Sequence, residues 1–559
     1  MKNVIRSKKH LVEGIRPGLT PSISSRKHFL WVLGAQSAAL AVAAWFFRHG
    51  LNPDAVAYLR IASYYTEGNA HLAVSGYWSP LISWMLVPFL KLDTSPLIAG
   101  RIVMGLSAII FLLGCRRLFQ QFEIPTRFLS AGLWLCALVS IPWSVENITP
   151  DLLLAGLVCF AFANIATPRW FLNIWLALST GMLWGLAFLC KAVALPLGIL
   201  TSVGIAALWW KRMPPLRPKI AVATGILLLG LGLISSPWIS VISLCSGKLI
   251  VTTSAAYNHS LVGPSVVKPV YLLDHGFSKP EPGRVTIWEN PSSAHPDWSP
   301  FTNWRNVQHQ LLVIFYNLPI VVVMLTGVSL IFPVLILFAA WRSLPVRYSS
   351  DRVTGGSWAL LPVGALAILY LPNHLLIYEQ RYFYAAFPLL FVATVATLNR
   401  NCIFRHRYSR IRRRVLFLVV ICFLLPTIFR SVIHLGSSRM AGERAYRLAQ
   451  MISMAGLDGP IAGSGKLPGG RAGLYTAYFL DQPWYGDILS PGPLDFRQSG
   501  ASLIVIRRGV KTASELDSNH GFLNLDSRLF DTIDTARQFP LQVFKVLPRG
   551  EPSQKPTLP

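Results

Sequence analysis

Charged residues are scarce in this 559-residue chain. Asp, Glu, Lys and Arg together make up 13% of it, about half of the share found in soluble proteins. Hydrophobic residues make up 53%, and the mean hydropathy is +0.48. A charge content this low over so long a chain excludes an ordinary soluble enzyme and predicts a polytopic membrane protein.

Acidic residues are the scarcer kind of charge, with 24 Asp and Glu against 51 Lys and Arg, which gives a net charge of +27. A nucleic-acid surface needs a clustered basic face on a folded polar domain. Here the basic residues instead separate apolar segments from one another. We therefore expect no nucleic-acid partner and interpret the basic residues as topology signals.

Cysteines are absent from the polar C-terminal region, so disulfide bonds are not part of its framework. The chain also lacks a Walker-type phosphate loop and a Rossmann glycine pattern, which leaves an ATP-driven pump unsupported. The basic N-terminus, 1–28, has no small-residue cleavage site and predicts an uncleaved cytoplasmic leader. The seven cysteines lie in or beside apolar segments: Cys115, Cys136, Cys159, Cys190, Cys245, Cys402 and Cys422.

Apolar segments predict about eleven transmembrane helices at about 20 residues per span. Basic connectors, of which 399–414 is the richest in arginine, alternate with long or acidic ones such as 48–95 and 244–317. By the positive-inside rule the basic connectors face the cytoplasm and the long ones lie outside. The predicted spans lie near 29–47, 96–115, 128–145, 151–167, 171–190, 194–210, 219–243, 318–340, 357–375, 383–398 and 415–434.

The odd span count places the region 435–559 outside the cytoplasm. This region has a helical pattern over Glu443–Gly456 and strand-like runs over Ser502–Ile506 and Leu541–Leu547. The sequence thus predicts an all-α membrane domain over 29–434, followed by a small extracytoplasmic α/β domain. An integral protein of a bacterial inner membrane fits this topology.

The first outer loop, 48–95, does not resemble an ordinary loop. Asn52-Pro53-Asp54 is a helix-start signal, and aromatic and aliphatic residues follow it at helical spacing. A second amphipathic stretch, Ser79–Leu90, has the composition of a helix lying in the membrane interface. This arrangement would hold Asp54 at the boundary between water and lipid.

Four charged residues fall at predicted outer ends of spans, and they could converge there. Asp54 and Asp151 each begin a predicted helix, for which a capping role is the simpler interpretation. Lys191 follows the fifth predicted span, where lysines often snorkel to the interface. Arg381 lies in a short connector beside Glu379, with which it can form an ion pair.

His259, His275 and Asp274 lie in the long outer loop and are candidate ligands for a divalent metal. Their spacing matches no metal motif, so ordinary hydrogen-bonding roles in the loop stay open beside metal binding. Whether the protein needs a cofactor is not determined by the sequence.

Several short motifs, in this order and spacing, resemble the GT-C membrane glycosyltransferases, and among them the bacterial aminoarabinose-transferase and protein-mannosyltransferase-like branch (glycosyltransferase family 39-like). The resemblance covers about 29–434. The motifs are Asn52-Pro-Asp-x-x-x-Tyr58, Gly76-Tyr-Trp-Ser-Pro-Leu81, Pro150-Asp-Leu-Leu-Leu-Ala155, Gly185-Leu-Ala-Phe-Leu-Cys-Lys191 and Glu379-Gln-Arg-Tyr382 ahead of Phe387-Pro388.

The resemblance implies a polyprenyl-phosphate-linked sugar as donor and a first-loop aspartate, Asp54, that acts on the acceptor. One departure concerns the acceptor: protein mannosyltransferases carry Asp-Glu where this chain has Asp54-Ala55. The acceptor therefore stays open among glycans such as lipid A, other lipids and proteins.

Transfer of a sugar from a lipid phosphate needs a base near the acceptor hydroxyl and positive charge where the phosphate leaves. We expect Asp54 to be the base and Asp151 to orient the base, the acceptor or a metal. Arg381 would bind the donor phosphate through its two-pronged guanidinium, with Lys191 and Tyr382 beside it.

On the acceptor side of the loop, Tyr58 and His259 are the candidates. The alternative functions are a transporter or lipid flippase with an outer ligand-binding domain, and a membrane sensor with a ligand-binding tail. Transporters commonly bury their ionisable groups near mid-membrane, whereas these charges lie at span ends.

Overall fold

The structure is a computed structural model, and it describes residues 23–167, 169–266, 272–274, 276–291, 296–334, 379–400, 409–464, 471–488, 491–530 and 539–548. The predicted span near 357–375 and the candidate ligand His275 lie outside these described residues. The described chain consists of a helical membrane part, a layer of loops with short helices, and a C-terminal sheet domain.

Long apolar helices form the membrane part, and seven of them within the described residues have the length and composition to cross a membrane. Two shorter apolar helices, Asp151–Ile165 and Ile174–Cys190, pack among them. A mostly helical integral membrane protein is thus confirmed, whereas the count of about eleven spans is not. The helices are α1 Ile23–Phe46, α5 Pro96–Gln121, α6 Thr126–Glu146, α7 Asp151–Ile165, α8 Ile174–Cys190, α9 Ala194–Arg212, α10 Arg217–Ser246, α12 Trp304–Val328, α13 Ala386–Arg400 and α14 Ser409–Met454.

Two helix bounds differ from the sequence prediction. α12 begins at Trp304, inside the stretch predicted as outer loop, because the Asn303 side chain caps it by accepting a hydrogen bond from the Asn306 amide at 2.9 Å. Its first turns are polar, so hydropathy alone does not reveal them. α14 continues without a break from the last predicted span into the region after 434, which makes that span and the first C-terminal helix one element.

Glycines allow the membrane helices to approach closely. A Cβ atom on Gly181 of α8 would lie 1.9 Å from the carbonyl oxygen of Leu227 in α10, and one on Gly230 would lie 2.6 Å from that of Leu178. Small residues serve this purpose at helix contacts in membranes, where dispersion contacts rather than the hydrophobic effect hold helices together. Gln36 of α1 adds a polar contact, since its amide donates to the Ser140 hydroxyl of α6 at 2.8 Å.

A loop layer, formed by the described residues within 48–95 and 247–303, covers one end of the membrane helices. It contains the short helices α2 Pro53–Thr66, α3 Ala70–Ala73, α4 Leu81–Leu90 and α11 Ser254–Ser260. α2 is buried along most of its length, because the turn Ile287–Glu289 and the C-terminal domain pack over it. Protein therefore covers α2 on most of its surface.

The C-terminal domain contains a five-stranded mixed sheet in the order β2-β1-β3-β5-β4. β1 pairs in parallel with β2 and β3, while β5 is antiparallel to β3 and β4. The predicted strands correspond to β3 and β5, and the small α/β domain is confirmed. The strands and helices are β1 Ile461–Ser464, α15 Ala472–Leu480, β2 Trp484–Ile488, α16 Pro493–Ser499, β3 Leu503–Arg507, α17 Lys511–Asp517, β4 Phe522–Asn524, α18 Asp526–Leu529 and β5 Leu541–Val546.

The edge of this sheet is covered by the loop layer. The Trp484 amide of β2 donates to the Val285 carbonyl, and the Ser278 amide donates to the Tyr485 carbonyl, each at 2.6 Å. These bonds occupy backbone groups that an exposed edge strand would leave open to other chains. They also fasten the long loop to the C-terminal domain.

Candidate active site

Two connectors on the loop-layer side bring two aspartates together. Asp54 lies in the first turn of α2, with Pro53 at the first helical position, and Asp151 is the first residue of α7. The Asn52 side chain does not cap its own helix. It accepts a hydrogen bond from the Ile148 amide at 3.0 Å, which ties the start of α2 to the connector that precedes α7.

Two cations join the two carboxylates. An Arg381 Nη lies 2.6 Å from the Asp54 Oδ2, and the Arg381 Nε lies 3.6 Å from the Asp151 Oδ2. The Lys191 Nζ lies 2.5 Å from the Asp151 Oδ1. Four residues that are far apart in sequence thus form one ion cluster, as their predicted positions at the ends of spans suggested.

The cluster is buried to different depths. The side chain of Asp151 is 3% exposed, whereas those of Arg381, Asp54 and Lys191 are 13%, 15% and 28% exposed. Asp151 therefore forms the floor, and the other three side chains reach the accessible side. Glu379, whose carboxylate lies 3.2 Å from the Arg381 Nε, is the most exposed member at 49%.

Arg381 retains capacity to bind an anion. Burial opposes its charge, but the neighbouring carboxylates of Asp54, Glu379 and Asp151 outweigh burial and hold the pKa of the guanidinium above its ordinary value. Its buried Nε makes no hydrogen bond of good geometry with any described residue, although two carboxylates lie near it. A charged group with an unused buried donor is suited to accept an anionic ligand.

Tyr382 lies beside both cations. The Lys191 Nζ lies 3.5 Å from the centre of its ring, and the Arg381 Cζ lies 5.7 Å from that centre. Burial raises the pKa of the Tyr382 phenol, so the ring stays neutral and presents its electron-rich face to the lysine. The turn Gln380–Phe383 holds Arg381 and Tyr382 in this arrangement.

Trp288 completes the environment of Asp54, and the sequence did not reveal it. Its indole N–H donates to the Asp54 Oδ1 at 3.1 Å, so both carboxylate oxygens are engaged by side chains from other parts of the chain. This engagement distinguishes Asp54 from a helix cap, which would bond to the N–H groups of its own first turn.

The turn that carries Trp288 is held by a buried glutamate. The Glu289 carboxylate accepts hydrogen bonds from the Tyr64 hydroxyl at 2.5 Å and from the amides of Val285 and Thr286, each at 2.9 Å. Burial raises the pKa of Glu289, an effect that these hydrogen bonds oppose. The Thr286-x-x-Glu289 capping box is visible in the sequence and is the signal that could have indicated an ordered turn here.

Of the acceptor-side candidates, Tyr58 lies near the ion cluster and His259 lies elsewhere in the loop layer. Tyr58 is 3% exposed, and burial, followed by the charges of Asp54 and Asp151, raises the pKa of its phenol. His259 stacks on Trp298 with ring centres 4.2 Å apart and is hydrogen-bonded to Gln310 at 3.1 Å.

The candidate metal ligands do not assemble in the part of the chain that the structure describes. No group of three or more His, Cys, Asp or Glu side chains there has the arrangement of a metal site. Asp274 forms an ion pair with Arg471 of the C-terminal domain instead.

A scan of protein-family models gives no match to this sequence, and no curated protein matches it. Among solved structures, ArnT from Cupriavidus metallidurans bound to undecaprenyl phosphate aligns with 92% of this chain and 97% of its own, at 15% identity and a TM-score of 0.55. The apo state of the same protein aligns over 91% and 96%, at 15% identity and a TM-score of 0.53. An oligosaccharyltransferase from Archaeoglobus fulgidus aligns over 84% and 68%, at 10% identity and a TM-score of 0.44.

The two ArnT alignments extend over almost the whole of both chains, membrane part and C-terminal domain together. At this level of identity they show the fold. The chain therefore shares the ArnT fold, and its resemblance to the GT-C glycosyltransferases is confirmed at the level of the fold.

Proposed function

We propose that the protein is a membrane glycosyltransferase that moves a sugar from a polyprenyl-phosphate donor to an acceptor outside the cytoplasm. The observation that carries this proposal is the ion cluster of Asp54, Asp151, Lys191 and Arg381 at the loop-layer end of the membrane helices. The shared fold supports it, since one ArnT structure contains undecaprenyl phosphate.

The donor phosphate would bind to Arg381 and Lys191. The two groups supply several N–H donors at the membrane end where a lipid phosphate headgroup lies, and the guanidinium can engage two phosphate oxygens at once. Tyr382 sits against the lysine and limits where its ammonium group can move. Both cations would stabilise the negative charge that grows on the phosphate as it leaves.

The transfer step is a single displacement. The acceptor hydroxyl oxygen forms a bond to the anomeric carbon, the bond from that carbon to the phosphate oxygen breaks, and polyprenyl phosphate leaves with the electron pair. The acceptor proton passes to the Asp54 carboxylate, and the configuration at the anomeric carbon inverts.

In the structure the Asp54 carboxylate is paired with Arg381, and with the Trp288 indole on its other oxygen it has both oxygens engaged by protein groups. A donor phosphate at Arg381 would compete with Asp54 for the guanidinium and weaken that ion pair. Donor binding would thus release the carboxylate to act as base only when the donor is in place. The hydrogen bond from Trp288 would keep the released carboxylate in position.

Asp151 contributes from beneath the site. Its side chain is almost fully buried and contacts Lys191 and Arg381. We assign it the role of orienting these two cations rather than contacting the sugar. Tyr58, which is also buried, would pack beneath Asp54 without touching the acceptor.

A reconstituted assay tests the proposal. The full-length protein in proteoliposomes, supplied with a polyprenyl-phosphate-linked sugar and a membrane extract as acceptor source, is expected to release polyprenyl phosphate. Cells that lack the protein are expected to accumulate the lipid-linked sugar. A transporter or flippase would move the lipid with its sugar–phosphate bond intact, so movement without cleavage of that bond would overturn the proposal.

The proposed orientation places the N-terminus and 399–414 in the cytoplasm and the C-terminal domain outside it. Single cysteines at positions 408 and 520 test this assignment with a membrane-impermeant thiol reagent. Position 520 should react in intact cells and position 408 only after lysis. Reaction of both from the same side would refute the orientation.

A further inference from the structure

A second basic site lies at the opposite end of the membrane helices. A cavity of about 550 Å³ opens between the starts of α1, α6 and α14 and the end of α5. Because α2 and α7 begin at the other ends of these spans, the cavity and the ion cluster lie on opposite faces of the membrane part. Its lining includes His28, Phe29, Arg116, Arg127, Ser130 and Leu416.

Its polar lining is cationic. Arg116 and Arg127 each contribute a guanidinium, and within the described residues neither forms an ion pair with a carboxylate. The Arg116 guanidinium lies 4.0 Å from the centre of the Phe29 ring, which holds it at the cavity wall. His28 and Ser130 are hydrogen-bonded to each other at 2.8 Å and add groups that can bond to an anion.

Apart from Thr126, its remaining lining is apolar, which a soluble anion does not require. Phe29, Leu133 and Leu416 lie on the same cavity, and the neighbouring helix surfaces expose Trp31 and Phe417 by 77% and 67%. A cationic pocket that continues into an apolar surface between spans matches an anionic lipid, with its phosphate among the arginines and its acyl chains along the helices.

We propose that this cavity binds the phosphate headgroup of an anionic glycerophospholipid in the leaflet opposite the active site. The inference stands on this cavity alone and is independent of the proposed transferase activity. The N-terminal segment 1–22 is a poor occupant by charge, since it carries five basic residues and one acid, Glu13.

Native mass spectrometry of the full-length protein in detergent tests the proposal, with phosphatidylglycerol and phosphatidylcholine as probes. Both lipids carry a phosphodiester, but only phosphatidylglycerol has a net negative charge. We expect wild type to bind phosphatidylglycerol more tightly than phosphatidylcholine. The double variant Arg116→Gln/Arg127→Gln should weaken phosphatidylglycerol binding about tenfold or more, because it removes two charge-assisted contacts.

The matched control is Lys211→Gln/Arg212→Gln. This pair loses the same charge at the exposed end of α9, on the same face of the membrane part and outside the cavity. It should bind phosphatidylglycerol like wild type. Thermal unfolding without added lipid checks that the cavity variant is folded. If the double variant does not fold, Arg116→Lys tests the site instead: it keeps the charge and should retain most of the binding.

Three results would overturn the proposal. These are equal binding of the two lipids by wild type, equal losses in the cavity and control variants, and displacement of the lipid by millimolar inorganic phosphate. The last result would assign the cavity to a soluble phosphate instead of a lipid headgroup.

Discussion

Two buried ion clusters in this protein contain the same kinds of side chain, and they differ in what they leave open. In the candidate active site, Arg381 and Lys191 join Asp54 and Asp151. In the second cluster, Arg471 joins the loop layer to the C-terminal domain: it pairs with Asp274 of the long loop and with Asp487 of β2, the latter at 3.2 Å.

The Arg471 cluster is closed. The side chains of Arg471 and Asp487 are each 3% exposed and that of Asp274 is 14% exposed, and the Arg471 Nη that bonds to Asp487 also donates to the Leu273 carbonyl at 3.1 Å. In the active-site cluster, Lys191 and Glu379 are more accessible, at 28% and 49% exposed, and the Arg381 Nε lacks a well-formed hydrogen bond among the described residues. Burial and satisfied hydrogen-bond donors indicate that the Arg471 cluster has a structural role. Accessible side chains and an unused donor indicate that the active-site cluster binds a ligand.

The largest effect is expected for Asp54→Asn. The amide keeps the shape of the side chain but cannot accept the acceptor's proton at neutral pH, so transfer should fall by about 10²–10⁴-fold. Arg381 keeps Asp151 and Glu379 as partners, so folding should be preserved. Release of polyprenyl phosphate measures the change, with Glu67→Gln, an exposed acid of the same loop, as control. Wild-type transfer by well-expressed Asp54→Asn would rule out Asp54 as the base.

The second cluster should respond in stability rather than in chemistry. Arg471→Met leaves the buried Asp487 and the partly buried Asp274 without their cation, and breaking a buried ion pair in this way costs about 3–5 kcal/mol. Thermal unfolding of the full-length protein should shift down strongly, and Arg507→Met at the exposed end of β3 should not change it. A folded Arg471→Met protein with normal thermal stability and no transfer activity would contradict the comparison, because it would give Arg471 a role in catalysis.

The Arg471 cluster should also make the thermal stability of the protein depend on pH. Asp274 and Asp487 share one guanidinium, and burial raises the pKa of Asp487 to about 7 despite that cation. Because the folded protein then holds a proton that the unfolded chain releases above about pH 4, stability is greatest below that pH and is lost as the pH rises to about 7. Thermal midpoints of wild type should fall from pH 5 to pH 8, and Asp487→Asn should flatten this trend. An unchanged slope in Asp487→Asn would assign the effect to other groups.

Much of the candidate site could be predicted because charge is scarce in this chain. Each of Asp54, Asp151, Lys191 and Arg381 stands next to an apolar segment whose end fixes its depth in the membrane. Helix length and alternating connectors therefore place all four at one boundary. The structure brings them into one cluster, while their chemical roles remain proposals.

The other features of the site and fold depend on contacts between residues far apart in the sequence, which the spacing of apolar residues does not predict. The bond from Trp288 to Asp54 joins residues 234 positions apart, and Arg471 reaches Asp274 across 197 positions. β1, β2 and β4 escaped prediction because they are short and two of them contain a glycine, Gly463 or Gly486, which weakens the strand pattern. The burial of α2 along most of its length likewise depends on distant parts of the chain, such as the turn Ile287–Glu289, that fold over it.

Binding of the donor should depend on Arg381. Arg381→Ala removes the charge-assisted contacts to the phosphate, which should cost about 1.5–3 kcal/mol, or about tenfold to more than a hundredfold in donor affinity. Arg381→Lys should recover part of this loss, since lysine restores the charge without the two-pronged geometry. Titration of the purified variants with donor lipid measures the change. Glu379→Ala is the control, because it removes an ion-pair partner of Arg381 and leaves the phosphate contact; equal donor affinity in wild type and Arg381→Ala would show that the arginine only holds the loop.

The smallest effect is expected for Trp288→Phe, which tests whether the loop layer positions Asp54. Phenylalanine keeps the ring packing against Tyr77 and Trp78, whose ring centres lie 5.4 and 5.5 Å away, and removes the indole N–H that reaches Asp54. One hydrogen bond of this kind is worth about 0.5–1.5 kcal/mol net, so kcat should fall by about two- to tenfold. The KM for the donor should stay unchanged, because Trp288 contacts the proposed base and not the proposed phosphate ligands.

Trp298→Phe is the matched control, since it loses an indole bond to the His259 carbonyl in the same loop and leaves Asp54 untouched. Equal kinetic changes in the two variants would show that Trp288 affects the rate only through packing of the loop. A lower kcat in Trp288→Phe alone would show that the long loop positions the Asp54 carboxylate.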